Sequence, residues 1–154
     1  EDIFACVRLF RESDTDTPVV LMGYLNPFEH LGASVFSERA VSAGVDGVLI
    51  VDLPPEEATD FHNALNRANL DQIFLIAPNS DAERIGRICE FASGFVYFVA
   101  VKGVTGDKEL NVGAVGARVS EVCATTELPV GVGFGIKTPE SAGRAAERRR
   151  QGRR

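Results

Sequence analysis

The sequence predicts an α/β fold of repeated parallel β/α units, and three observations carry that prediction. Short apolar runs rich in Val, Ile and Phe, with no polar alternation, read as strands buried on both faces. Longer amphipathic stretches separate them, with periodicity that suits helices. The runs begin at residues 18, 47, 73, 95 and 129, so the repeats are 29, 26, 22 and 34 residues long. That is room for a strand, a crossover helix and two loops, which implies right-handed parallel crossovers. Two architectures use such units, a doubly wound open sheet and an eight-stranded barrel. No GxGxxG follows the first run, which tips the choice toward the barrel.

In chain order, Asp2–Phe10 reads as a helix. Pro18–Gly23 (PVVLMG) is the first strand, and Ala33–Ala43 the next helix, with Val35, Phe36, Ala40 and Val41 at helical spacing and Gly44 as a C′ residue. Gly47–Asp52 (GVLIVD) is the second strand. Pro55–Ala68 opens with Pro-Glu-Glu, a proline near N1 followed by acids against the positive helix end. Ile73–Ala77 (IFLIA) is the third strand, and Asp81–Phe91 a helix preceded by the capping pair Asn79-Ser80. Phe95–Val101 (FVYFVAV), a helix over Val112–Thr126, the strand Pro129–Gly133 (PVGVG) and a helix over Pro139–Arg150 complete the series.

Composition narrows the functional classes. With 45% hydrophobic and 25% charged residues in 154, the chain is an ordinary globular domain. No run approaches the roughly 18 apolar residues of a membrane span. Residues 1–13 show neither a basic n-region nor an apolar h-region, and a chain opening on Glu1 rather than Met is expected to have something upstream. Residues 144–154 hold six arginines against Glu147, a net of +5, which leaves −11 on the other 143 residues. An acidic body argues against nucleic-acid binding, which needs clustered Lys and Arg. The three cysteines, Cys6, Cys89 and Cys123, are isolated and odd in number, so buried or half-buried free thiols in a reducing cytosol are expected. His30 and His62 have no metal-ligand spacing.

In both candidate architectures ligands bind at the carboxyl ends of the strands. Those ends read Gly23-Tyr24-Leu25-Asn26-Pro27, Asp52-Leu53-Pro54-Pro55, Ala77-Pro78-Asn79-Ser80, Lys102-Gly103-Val104-Thr105-Gly106 and Gly133-Phe134-Gly135-Ile136. Paired glycines let backbone N–H groups approach a ligand oxygen, as a phosphate cradle requires, although a turn explains them equally well. Asp52 is the one carboxylate directly at a strand end. It reads as an acid/base, as a hydrogen-bond anchor for a neighbouring loop, or as a turn residue. Tyr97 is a core tyrosine or a substrate contact. Thr105 could ligate phosphate or pin its loop.

These segments, PVVLMGYLNP, AGVDGVLIVDLPPEE, IFLIAPNSDAERI, GFVYFVAVKGVTG and LPVGVGFGIKTPE, resemble the tryptophan synthase α family in order and spacing over about residues 1–143. The resemblance implies a TIM (β/α)8 barrel, here incomplete, with about five parallel strands corresponding to the third to seventh. It implies cleavage of indole-3-glycerol phosphate to indole and glyceraldehyde 3-phosphate, with no cofactor of its own. It also implies a cytoplasmic α2β2 assembly with a pyridoxal-phosphate β chain. Met22, Tyr24, Leu75 and Tyr97 then line the indole-glycerol pocket, Thr105 and Gly106 belong to a closing loop, and Phe134 and Gly135 to the phosphate site. Asp52 sits beside the site without transferring the proton, and Asn26 and Pro54 meet the β chain.

The departures are as informative. The family's catalytic glutamate and aspartate would precede Glu1, and its Gly-Ser phosphate pair would follow the end. After about Ala142 the expected helix dissolves into RAAERRRQGRR, which a shifted reading frame explains better than a functional arm. The expected division is a partial barrel over 1–143 and an atypical tail over 144–154, inactive alone. Two other readings stay open: a degenerate subunit that docks on the β chain without catalysis, and another phosphate-binding barrel isomerase.

Overall fold

The computed structural model describes residues 2–100 and 112–133. Five parallel strands, β1 (Val20–Gly23), β2 (Gly47–Ile50), β3 (Asp71–Ile76), β4 (Val96–Val99) and β5 (Val130–Gly133), pair in sequence order. Six helices connect or precede them: α1 (Asp2–Arg11), α2 (Leu25–Leu31), α3 (Ala33–Ala43), α4 (Thr59–Arg67), α5 (Ala82–Phe91) and α6 (Val112–Thr125).

Strand order and side-chain parity decide between the two architectures. A doubly wound sheet reverses its order at a switch point and carries helices on both faces. Here the order never reverses. Leu21, Val48, Ile50, Phe74, Ile76, Val96 and Phe98, which share one face of the sheet, form a single cluster with residues from every helix. Phe4 and Val7 of α1, Phe36 and Ala40 of α3, Phe61 and Leu65 of α4, Ile85 and Ile88 of α5 and Val122 of α6 all belong to it. All the helices therefore cover the same face, as in a barrel wall. The other face carries Met22, Leu49 and Ile73 in one register row and Leu75 and Tyr97 in the next.

The amino end of the sheet is tied by one arginine. Arg11 donates from Nε to the Gly44 carbonyl at 2.8 Å and from Nη1 to the Thr17 carbonyl at 2.7 Å, and pairs through Nη2 with Asp46 at 2.6 Å. The Asp46 carboxylate also accepts from the Val19 N–H at 2.6 Å. That contact shortens the first strand. Pro18 has no N–H and the Val19 N–H is taken by a side chain, so the ladder opens at Val20 and not at Pro18.

Other expected boundaries need correcting. Pro55–Ala68 is not one helix: a 3-10 turn spans Pro55–Glu57, and α4 begins at Thr59. Three residues per turn put Pro55 and Ala58 on the same side, and both are buried, with Leu53 beside them. The segment after the first strand, to which the sequence assigns no element, is helical over Leu25–Leu31. Pro27 falls in the first turn, where its missing N–H costs nothing, and Phe28 packs edge-on against Phe36 with centroids 4.8 Å apart. Strand β4 covers Val96–Val99; Val101 lies outside the described residues. The expected helix over 139–150 lies outside them as well. Of the cysteines, all three free, only Cys89 is half-buried, whereas Cys6 and Cys123 are exposed on helix surfaces, contrary to expectation.

Candidate active site at the carboxyl ends of the strands

All five strands are parallel, so their carboxyl ends and the loops that follow share one rim. Below that rim, on the face opposite the helices, lies an apolar trough. Leu49 and Ile73, 3% and 1% exposed, form its floor, with Met22 beside Leu49 in register. Leu75 and Tyr97 stand one step higher, paired across β3 and β4 and half-buried. Met22 and Tyr24 are 64% and 65% exposed, so the β1 side of the trough is open.

Tyr97 lies across β5. It is opposite Gly131 in register, and its ring extends over Gly133. A Cβ built on Gly133 would stand 2.5 Å from Cζ and 2.6 Å from Cε1 of Tyr97, with the phenol oxygen closer still. Gly133 is therefore the space into which the phenol folds. The hydroxyl is carried to the carboxyl end of β5, where the segment with Phe134 and Gly135 begins.

Asp52 has the anchoring geometry. Its Oδ1 accepts from the Leu25 N–H at 2.6 Å and so ties the β2 loop to the first turn of α2. Ala58 is buried and Pro55 heads the 3-10 turn, so Pro54 is held half-buried between Asp52 and that turn. Asn26 is exposed on α2, one residue beyond the anchored amide. Thr105, Gly106, Phe134 and Gly135 lie outside the described residues.

Long-range polar ties hold the loops of this rim. Glu56 accepts from Arg84 at 3.1 and 3.3 Å and from Arg87 at 3.2 Å. The Glu56 carboxyl is held below its ordinary range chiefly by its own backbone N–H; burial opposes this, and the two guanidinium groups each add a smaller lowering effect. Arg118 of α6 donates from Nε to the Pro78 carbonyl at 3.2 Å and from Nη2 to that of Ser80, and also pairs with Glu121. It thereby clamps the turn after β3.

Sequence reasoning missed Leu49, Ile73, Glu56 and the three arginines, and named Gly133 only as one of a glycine pair at a strand end. The floor was within reach, because Ile73 is two residues from Leu75 and strand parity puts both on one face. The arginines carried no local signal. A cavity of about 440 Å³ lies elsewhere, open on the outer surface between the start of α3 and α4, and contains none of the candidate site residues. Among the described residues no three His, Cys, Asp or Glu side chains gather as a metal site, and no helix is long and apolar enough to cross a membrane.

Comparison with known proteins supplies the context for this rim. The family model described as tryptophan synthase alpha chain matches residues 1–151. The tryptophan synthase alpha chain of Alkalilimnicola ehrlichii is 60% identical over 143 residues, 93% of this chain and 52% of that protein. That of Thioalkalivibrio sulfidiphilus is 54% identical over 144 residues, 94% and 54% of the two chains. Among solved structures, tryptophan synthase subunit alpha from Legionella pneumophila superposes with a TM-score of 0.83 at 43% identity, covering 95% of this chain and 53% of its own. A chain from the tryptophan synthase α2β2 complex of Pyrococcus furiosus gives 0.84 at 34% identity, with 94% and 58% covered. The chain spans about half the length of the relatives it matches.

Proposed function

The chain belongs to the tryptophan synthase alpha chain family, and from that premise we propose that it forms the part of the barrel that holds the indole end of indole-3-glycerol phosphate. The observation that carries this reading is the trough: a floor of Leu49 and Ile73, walls of Met22, Leu75 and Tyr97, and one phenol at its upper edge. An indole ring is flat, apolar and polar only at its N–H. Dispersion and water exclusion from the aliphatic floor favour it, and the Tyr97 hydroxyl supplies a polar partner at the strand end.

The activity of the whole protein is the lyase cleavage of indole-3-glycerol phosphate to indole and glyceraldehyde 3-phosphate, in the cytoplasm and on the path to tryptophan. The roles follow the loops. Phe134 and Gly135 are assigned to the phosphate site, and Thr105 and Gly106 to the family's substrate-closing loop. Asp52 holds the β1 and β2 loops together and transfers no proton. In this reading, proton transfer belongs to a glutamate and an aspartate of the family that lie outside this chain. No cofactor serves this half; the partner is a β chain carrying pyridoxal phosphate, met at Asn26 and Pro54.

The test is calorimetry with indole-3-glycerol phosphate, paired with an assay for released indole. Binding without turnover is expected, with Leu75→Ala weakening it roughly tenfold, the worth of a few lost methyl and methylene contacts. A folded chain that ignores the substrate would refute the pocket assignment. Indole release would refute the assignment of proton transfer to residues outside this chain. Docking on the β chain with no substrate binding would favour the non-catalytic subunit.

A further inference from the structure

We propose that Arg84 and Arg87, acting through Glu56, are positioning residues that pre-set the docking surface formed by α2 and the 53–57 turn for the β chain. The inference rests on the partner reading above and adds the residues that hold that surface in shape.

The turn is fixed from three sides. Inside, Leu53, Pro55 and Ala58 are buried, while Glu56 and Glu57 are exposed on its outer side. On one flank Asp52 holds the Leu25 N–H and so joins the turn to the helix that carries Asn26. On the other flank the outward tie is Glu56. One carboxylate accepts from two guanidinium groups, with Arg84 reaching both of its oxygens. Arg84 and Arg87 are three residues apart, hence on one side of α5. That helix is itself immobilised: Ile85 and Ile88 are in the core, and Asp81 caps it through the Arg84 N–H at 2.8 Å. The arginines therefore reach from a fixed helix to a turn whose outer edge carries Pro54.

Freezing Glu56 costs rotamer entropy, and a second guanidinium shares that cost rather than doubling it. The expected functional effect is preorganisation. A docking loop already in its bound shape loses less freedom on association. The ties are exposed, at 38% for Glu56, 44% for Arg84 and 56% for Arg87, so their effect is modest and sensitive to salt.

The experiment measures two quantities on this chain and its variants. One is amide exchange of Glu57 and Ala58, whose N–H groups donate to Pro54 and Pro55. The other is the Kd for the β chain of one of the curated relatives. The Arg84→Ala/Arg87→Ala variant should exchange those amides about three- to tenfold faster at low salt and bind the β chain about three- to tenfold more weakly, the range of one or two exposed ion pairs. The gap from the native chain should close near 1 M salt, where the Debye length is about 3 Å. The Arg84→Lys/Arg87→Lys variant keeps the charges but replaces each planar guanidinium by a compact, more strongly hydrated ammonium, so it should fall between. If the alanine pair loses its far-ultraviolet dichroism, the lysine pair decides alone, with about a twofold effect that salt abolishes. Equal binding by native chain and variants overturns the inference while leaving the partner reading intact. A native chain with protected Glu57 and Ala58 amides that fails to bind the β chain overturns the partner reading, and the inference with it.

Discussion

Replacing Gly133 by alanine tests the tightest contact at the candidate site. Gly133 lies within β5 and its backbone is not among those with positive φ, so alanine has no conformational objection there. The obstacle is steric. The new methyl would stand 2.5 Å from Cζ of Tyr97, against the roughly 3.5–4.0 Å that two carbons prefer. The strand cannot move that far without breaking its pairing to β4, so the ring must swing away and lose its seat. Overpacking of this kind costs about 1–3 kcal/mol. With a urea slope of about 1–2 kcal/mol/M for a small domain, the midpoint followed by far-ultraviolet dichroism should fall by about 1 M. Shortening Tyr97 to leucine removes the obstacle, so Gly133→Ala should cost under about 0.5 kcal/mol in the Tyr97→Leu background, a strong coupling for residues in contact. Equal costs in the two backgrounds would show that the phenol does not occupy that space, and the trough described above would be wrong at its upper edge.

Three further outcomes follow from the geometry. Burial pushes the Cys89 thiol above its ordinary value, partly offset by Thr126, so a maleimide at pH 7.5 should label the exposed Cys6 and Cys123 well before Cys89; first labelling at Cys89 would contradict this. The Asp14 carboxyl is held below 3.8, first by the Thr17 N–H and then by the Thr17 hydroxyl, with further help from the Asp16 N–H and Arg11. Its stabilisation is therefore complete above the unfolded value and lost only as pH falls through the lower folded one, so the Thr17 amide shift should titrate with a midpoint under 3.8. A midpoint above that value counts against the turn. Among the described residues nothing pairs with the outer edges of β1 and β5, and Leu9, Met22 and Tyr24 are 66%, 64% and 65% exposed. Unpaired edges beside apolar surface invite association, so sedimentation velocity should show self-association rising with concentration, over a marginal fold. A monomer with a cooperative thermal melt would refute that expectation.

Much of the architecture was legible in one dimension because its causes are local. Runs such as GVLI and IFLI announce buried parallel strands, since both of their faces need apolar side chains. Ala33–Ala43 matched to the residue because Gly44, at φ 89°, ends the helix in a conformation that a glycine adopts without strain. The shared rim of strand-end segments was legible too, because in a parallel sheet all the loops that follow strands lie at one end. Proline misled the reading once: Pro55 looked like the start of one long helix but headed a 3-10 turn.

What tertiary structure alone decided has a common physical basis: the partners are far apart in sequence. Singly wound order bears out the barrel that the family resemblance implied, while periodicity by itself left it open, because the order depends on which face each crossover covers. Gly133 is crowded by a ring thirty-six positions earlier, whereas the sequence offered it only as one of a glycine pair at a strand end. Asp52 could be read three ways until the Leu25 N–H was found at its carboxylate. Glu56 and its two arginines looked like ordinary surface charges, because only the packing of α5 beside the turn brings them together. Periodicity and composition fix what each segment becomes. Which segments meet, and therefore what a polar or small residue is for, is settled when the sheet curls and the helices close over it.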